Sequence, residues 1–500
     1  MTNDVVLTDI FGTPFSLVDK RQAVSENTDK IFIIKPYLQL GRHFNEKPGS
    51  LVLFFHPGKK YRGKDWLVQY RQPSVDGDNW RDASLSRGRL RLISGKRHWR
   101  YRAELTGLSA GEPFQYRVVK AWTLVFSGEA VAPSAEKTRI AVLGDMADGG
   151  QASADVARAM LASRPELLLA VGDIVYDKGL VSEYLAKFFP VYNESVGSCS
   201  VPLLSSLPLA PVIGNHDIGT PGQQEKPDFD HADALGCCKF FENPRGNLGL
   251  KRKQLKKSLS SRRAAFIDSL PRGFFDTANY SFSWGSIFVL VLDANRYMDW
   301  TLPALQRFVE RKLSEAPAGA WKIVAFHQAP FNDDFKYAGD QRMRVLSPLF
   351  EAAGVVLVFS GHCHYYARTH AMRYGLTTGV VEKDGSVAGT ASFEKDGKRS
   401  SGGVTYVITG AGGKLVDRER MPGRSDYVAF LDTSRYSFSL LEADANKLEF
   451  KQVDKDGNVD PNTPIIWDFD EITSISALPL DNDQLTVRGG HFTTIANQAE

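Results

Sequence analysis

The spacing of hydrophobic positions changes once along the chain, near residue 133. From about 31 to 131 the apolar runs are short: IFII at 31–34, LVLFF at 51–55, WLVQY at 66–70, LRLI at 90–93, WRYRAEL at 99–105 and FQYRVV at 114–119. Gly, Pro, Asn and Asp cluster between several of them, and many short strands separated by such turns predict an all-β sandwich. After Pro133, strand-length apolar runs alternate with helical patterns. RIAVLG (139–144) precedes SADVARAMLAS (153–163), and ELLLAVG (166–172) precedes VSEYLAKFF (181–189). PALQRFVERKLSEA (303–316) leads into WKIVAF (321–326), and QRMRVLSPLFEAA (341–353) leads into VVLVFSG (355–361). This alternation predicts an α/β domain with a buried sheet. Further β structure is expected at 281–295, 405–413 and 436–453. The expected organisation is an N-terminal arm (1–28), a β-sandwich (29–133), an α/β domain (134–455) and an unassigned C-terminal extension (456–500).

Composition narrows this only slightly. The chain has 500 residues, 43% hydrophobic and 24% charged, an ordinary globular balance and enough length for two or more domains. The 61 basic and 58 acidic residues leave a formal charge of +3, so no global field argues for nucleic acid or an anionic membrane. No run approaches the roughly 18 apolar residues of a membrane-spanning helix. The N-terminus lacks a basic leader followed by an apolar core, so a cytoplasmic location is the default expectation, with a periplasmic or secreted one as the alternative. Cys199, Cys237, Cys238 and Cys363 form neither a disulfide framework nor a zinc pattern and read as buried or incidental thiols. The basic run LKRKQLKKSLSSRR (250–263) reads as a solvated helix face rather than a collar for anionic substrates. DKDGNVD (454–460) lacks full calcium-loop spacing and reads as a hairpin turn.

The chemistry is carried by five apolar strands, each ending in a metal-ligand residue type. AVLGD ends at Asp145, AVGDIVY supplies Asp173 and Tyr176, and PVIGNHD supplies Asn215, His216 and Asp217. IVAFH ends at His327, and VFSGHCH supplies His362 and His364. Open α/β sheets place their sites at the carboxyl ends of strands. Any one of these endings alone would be an ordinary turn or a structural histidine; it is the ordered set that points to a metal site.

That set, GD–GDxxY–GNHD–(apolar)xxH–GHxH, resembles the calcineurin-like metallophosphoesterases, and Tyr176, three residues after the second Asp, narrows the resemblance to purple acid phosphatases. ELTGLSAGEPFQYRVV, with Tyr116 inward, resembles the end of a fibronectin type III-like domain, which the larger members carry. The resemblance implies a fibronectin-like sandwich followed by an α/β/β/α metallophosphoesterase sandwich. It implies two metal ions, Fe(III) held by Asp145, Asp173, Tyr176 and His364, and a divalent Fe, Zn or Mn held by Asp173, Asn215, His327 and His362. The donor types suit this split, since carboxylate and phenolate are hard oxygen donors and imidazole suits a borderline divalent ion. Two carboxylates and one phenolate against such a pair leave a formal charge of about +2, which attracts a phosphate dianion.

The implied function is hydrolysis of phosphate monoesters on a small phosphorylated substrate by a metal-bound hydroxide. His216 is expected to contact a phosphoryl oxygen or protonate the leaving group, and Asp217 either orients His216 or caps a loop. The alternatives are a phosphodiesterase acting on nucleotides or lipids, and a non-catalytic binding protein with a decayed enzyme domain. One departure stands out. Typical members carry further histidines after the fourth motif, whereas FHQAPFNDDFKYAGDQ contains only His327. Gln328, Lys336 and Tyr337 are available there, and His231 is a possible substitute on the preceding insertion.

Overall fold

The computed structural model describes residues 31–468, apart from 92–96, 135, 220–233, 257–260, 396–402 and 417–422, together with short strands at Leu7–Thr8, Pro14–Phe15, Gln484–Arg488 and His491–Ile495. Most of the expected arm, much of the C-terminal extension, and His231 therefore lie outside the described residues.

Two large sheets form the α/β region. In the first, strands Thr138–Leu143, Leu167–Ala170 and Leu209–Pro211 run parallel. In the second, Ile287–Val291, Trp321–Gln328, Val355–Gly361 and Thr405–Thr409 run parallel. Side-chain alternation explains their stacking. Ile140, Val142 and Leu169 of the first sheet share one buried cluster with Val289, Ile323 and Leu357 of the second. Their sequence neighbours Ala141, Leu168, Leu290, Val324 and Val358 join a different cluster. That cluster contains Val156 and Met160 of helix Gln151–Ala162, and Leu305 and Val309 of helix Pro303–Ser314. Both faces of each sheet are thus covered, in an α/β/β/α order. All the parallel strands that carry candidate ligands point their carboxyl ends the same way.

The N-terminal strands form two four-stranded layers. Thr123–Val131, Pro113–Lys120, Trp66–Arg71 and Arg81–Asp82 make a separate sheet. Phe32–Gln39, Leu51–Pro57, Arg97–Leu105 and Ser84–Arg91 make the other, and they continue the first α/β sheet into ten strands. The junction is the parallel pairing of Leu209 with Gln39. Phe55, Trp66, Tyr101 and Tyr116 belong to the same cluster as the inter-sheet core. Sequence periodicity places a break near residue 133, but the hydrophobic core runs across it. At the other edge, Ile465–Asp468 of the unassigned extension pairs with Lys447–Asp454 and buries Trp467.

Smaller expectations resolve locally. VSEYLAKFF is a broken helix, with a wider π turn at Tyr184–Phe188 between Val181–Glu183 and Phe189–Tyr192. The basic run is used for local ties, since Arg252 donates to the carbonyls of Asp268 and Pro271 and Lys256 pairs with Asp268. Asp454 accepts the backbone N–H groups of Asp456 and Asn458 in a tight turn.

One ion cluster ties the N-terminal strands to the α/β region. Glu242 accepts from Arg42 at 2.9 Å and from Arg102 Nη2 at 2.8 Å, and its side chain is 8% exposed. Burial alone would raise its carboxyl, but the two guanidiniums outweigh that and hold it at about 2, below its ordinary 4.5. A carboxylate depressed in the folded state stabilises the fold above its unfolded pKa, and that stability is lost as pH falls from 4.5 toward 2. Glu242→Ala is therefore expected to cost about 1–3 kcal/mol in denaturant titrations at neutral pH, because it takes from the half-buried Arg102 and the exposed Arg42 their shared carboxylate. It should also flatten the acid limb of the stability curve. A variant as stable as the parent would contradict this role.

Candidate metal centre

The candidate ligands sit where five strands end, and three of them occupy strained backbone. Asp145, Asp173 and His362 have φ of 56°, 48° and 70°. The left-handed region is uncommon for residues with a side chain and costs of order 1–3 kcal/mol unless the surroundings enforce it. Hydrogen bonds do so here. Asp145 N donates to Gly172 O at 3.0 Å, and His362 N donates to Asp145 Oδ2 at 2.8 Å. Gly172, itself at φ 90°, passes so close to the His327 ring that a Cβ would lie 2.5 Å from Nδ1.

The residues gather into two adjoining groups. In the first, the Tyr176 hydroxyl donates to Asp145 Oδ1 at 2.7 Å and lies 3.2 Å from His364 Nε2, which is 3.4 Å from the same carboxylate oxygen. In the second, ligand atoms of Asp173, His327 and His362 lie within 4.8 Å of one another. Asn215 is buried, and the next residue's backbone N–H, that of His216, donates to Asp173 Oδ1 at 2.8 Å.

The His327 ring shows how a cation would be received. Its Nδ1–H donates to the Val171 carbonyl at 2.8 Å, which turns Nε2 toward Asp173 Oδ2 at 3.2 Å. That buried Nε2 has no well-formed hydrogen bond. A backbone carbonyl fixing one imidazole nitrogen while the other faces a carboxylate is the usual preparation of a metal-binding histidine.

The electrostatics favour a cation in the same place. Burial lowers His327, but Asp173 outweighs it and raises the ring to about 9. His362, buried and 5.1 Å from His327 between ring centroids, is pushed down to about 3. Burial would raise Asp173, yet His327 and His216 hold it well below the carboxylate range. Burial, then Asp145 and Asp173, push the Tyr176 hydroxyl well above its ordinary value, so a phenolate there requires added positive charge. On donor set, tautomer and charge, these residues fit a pair of metal ions.

His216 and Asp217 separate in role. The His216 Nδ1–H donates to the Asp177 carbonyl at 2.6 Å, and Nε2 lies 3.8 Å from Asp173 Oδ2 on a side chain 19% exposed. Asp217 does not contact the His216 ring. Its carboxyl accepts the N–H groups of Ile174 at 3.1 Å and Gly214 at 2.9 Å and the Tyr184 hydroxyl at 3.0 Å. It braces the backbone of two ligand loops, which is the capping role rather than the orienting one. Burial, followed by the nearby Asp173 charge, raises it to about 6.

Of the residues considered in place of the missing histidines, Gln328 is buried and donates to Asn295 Oδ1. The Tyr337 ring packs on His362, with centroids 3.9 Å apart, and Lys336 Nζ lies 4.9 Å over the Tyr337 ring. Lys414 is a neighbour that the sequence pattern did not disclose. It follows the run TGAGG, where a Cβ on Gly410 would lie 2.2 Å from the Cys363 carbonyl oxygen, and its Nζ sits 3.7 Å from the Tyr176 ring centroid. The glycine run was the available signal.

Residues 138–366 match the family model described as calcineurin-like phosphoesterase and form such a domain. A 105-residue stretch is 33% identical to purple acid phosphatase 18 of Arabidopsis thaliana, covering 19% of this chain and 23% of that protein's length. Among solved structures, a purple acid phosphatase from yellow lupin (Lupinus luteus) seeds superposes with a TM-score of 0.62 at 15% identity, over 88% of this chain and 75% of that one. PhoD superposes with a TM-score of 0.55 at 11% identity, over 94% and 93%. The fold is that of a metallophosphoesterase similar to purple acid phosphatase.

Asp217→Ala would leave two buried N–H groups without an acceptor, each costing about 1–3 kcal/mol. The expected outcome is a lower unfolding midpoint in calorimetry, together with weaker metal retention. Unchanged stability would show that the carboxyl is not bracing the loops.

Proposed function

We propose that this calcineurin-like phosphoesterase domain hydrolyses phosphate monoesters at a binuclear metal centre of the purple acid phosphatase type. The observation that carries the proposal is the convergence of the Asp145–Tyr176–His364 group with the Asp173–His327–His362 group at the ends of five strands. Asp145, Asp173, Tyr176 and His364 would hold a ferric ion, and Asp173, Asn215, His327 and His362 a divalent one. When bound, such a pair supplies the positive charge that attracts a phosphate dianion and acidifies water held beside it.

The chain's own residues then have distinct tasks. His327 is fixed by Val171 and keeps Nε2 directed at Asp173. His216 is fixed through Nδ1 by the Asp177 carbonyl, which leaves Nε2 as the atom that carries a proton toward a phosphoryl oxygen or the leaving group. Tyr337, packed over His362, provides an aromatic wall on that side. The proposal also keeps the division of the chain into a fibronectin type III-like sandwich and a catalytic domain, a two-layer arrangement with which the eight N-terminal strands are compatible. Comparing aryl monophosphate with bis-aryl phosphate turnover separates a monoesterase from a diesterase.

Metal analysis tests the core of the proposal. Purified protein should hold two metal ions per chain, and Asp173→Ala should lose both; a variant that keeps two ions would overturn the shared-ligand assignment. His216→Ala should keep its metals while kcat falls by roughly 10²–10⁴-fold, and loss of a metal in that variant would contradict the proton-carrying role.

The phenolate assignment has its own readout. Iron-loaded protein should be pink to purple, and Tyr176→Phe should bleach it while largely retaining iron. An active, iron-free and colourless protein would mean that Tyr176 lies outside the coordination sphere.

A further inference from the structure

The near-neutral total charge hides a strong asymmetry. Residues 31–133 contain 18 Lys and Arg against 8 Asp and Glu, an excess of ten, while the rest of the chain carries 43 against 50. The excess has a location. The loop after strand Leu51–Pro57 is tied to strand Arg97–Leu105 by the Tyr101 hydroxyl, which donates to Gly63 O at 2.7 Å. The hairpin tip at 120–123 is tied to the same loop by Ala121 N donating to Asp65 O at 3.0 Å and by the Lys120–Asp65 ion pair. These turns therefore share one end of the N-terminal sandwich. Lys59, Lys60, Arg62 and Lys64 are exposed there. Arg87 and Arg89, also exposed, lie 4.6 and 4.7 Å from the neighbouring Trp99 ring. Among the described residues no carboxylate pairs with any of these six, and the loop's own Asp65 is taken by Lys120. The acids Asp76, Asp78 and Glu112 gather around the 71–78 turn at the opposite end.

From the hairpin tip at this cationic end projects Trp122, 96% exposed. It sits in a two-residue hairpin turn with Ala121, at φ of 46° and 68°. Such turns favour Asn and Gly, since both residues must be left-handed. Tryptophan there contributes nothing to the core and is strained, an outlier that calls for a functional reason.

We infer that this end of the sandwich docks on an anionic lipid bilayer surface, with Trp122 seated at headgroup level and the lysine loop and arginines against lipid phosphates. Indole prefers the membrane–water interface, and basic side chains near an anionic leaflet add attraction. The contact is peripheral; no helix among the described residues is long and apolar enough to cross a membrane. A nucleic-acid strand fits less well, because such strands are tracked along a groove with open aromatic faces for base stacking. Here Trp122 stands on a hairpin tip, and Trp99 already carries Arg87 and Arg89. Docking also orients the molecule. Gln39 pairs with Leu209 near the metal-bearing loops, while Phe32, opposite Pro57, lies seven residues back at the cationic end. That is about 23 Å of strand, so the metal centre faces away from the bilayer toward soluble substrates.

The test is co-sedimentation of the full chain with vesicles of phosphatidylcholine mixed with phosphatidylglycerol, beside pure phosphatidylcholine vesicles and a thymidine oligonucleotide. Expected are partitioning onto the anionic vesicles only, weakening with salt, and a blue-shifted indole emission. Trp122→Asn, which accepts the left-handed turn, should lose the emission shift and weaken partitioning on the order of ten-fold. Each of Lys59, Lys60 and Lys64 changed to Gln should weaken it about five-fold. Unchanged melting curves would show that the variants are folded. No partitioning at low salt, partitioning indifferent to these variants, or binding of the oligonucleotide instead would each overturn the inference.

Discussion

Two carboxylates held out of water shape the phosphoesterase domain of this protein. Asp145 and Asp173 are at most 1% exposed, and a buried anion is tolerated only with compensating charge and hydrogen bonds. The chain provides both. Asp145 takes a hydroxyl hydrogen bond from Tyr176 and a backbone one from His362, and Asp173 takes the N–H of His216 and faces His327. These partners come from strands on two different sheets, so the sheets must stack with their carboxyl ends in register. The left-handed backbone at Asp145, Asp173 and His362 is the local cost of aiming the groups inward. It is borne because the buried sheet pairs beneath cannot relax without opening the core.

The candidate ligand set was legible because each motif is local. An apolar strand, a turn and a ligand fit within about six residues, and periodicity plus residue type suffices to find them. What was not legible depends on distant partners. Asp217 follows His216 directly, yet its carboxyl turns back to Gly214 and Ile174; adjacency in sequence left orienting and capping equally open, and only the backbone path separates them. Lys414 reaches Tyr176 only because a glycine run threads past Cys363, and on paper that run reads as the end of a strand. The continuity of the N-terminal layer with the first α/β sheet rests on the pairing of Leu209 with Gln39, 170 residues apart, which no local pattern encodes. The charge asymmetry was obscured by averaging, since a basic sandwich and an acidic remainder nearly cancel in the whole-chain total.

That shared sheet gives the N-terminal strands a part in holding the site. Asp217 braces the second and third ligand loops and accepts the Tyr184 hydroxyl. The Tyr184 ring packs on Phe240 at 5.4 Å, and the Phe240 carbonyl accepts the Tyr37 hydroxyl of strand Phe32–Gln39 at 2.8 Å. Two residues on, Glu242 is gripped by Arg42 and Arg102, and its N–H donates to Gln39 Oε1 at 3.0 Å. A continuous set of contacts thus runs from the candidate ligand loops to the sandwich. Loops alone would position ligands loosely, because their backbone is the most mobile part of a fold. Here the third ligand loop is wedged between its own sheet and a short helix, Gly236–Phe240, that the N-terminal strands hold from the other side. The sandwich is therefore a structural wall of the phosphoesterase domain, and the strain at the strand ends is sustained in part by residues that precede the first motif by about a hundred positions.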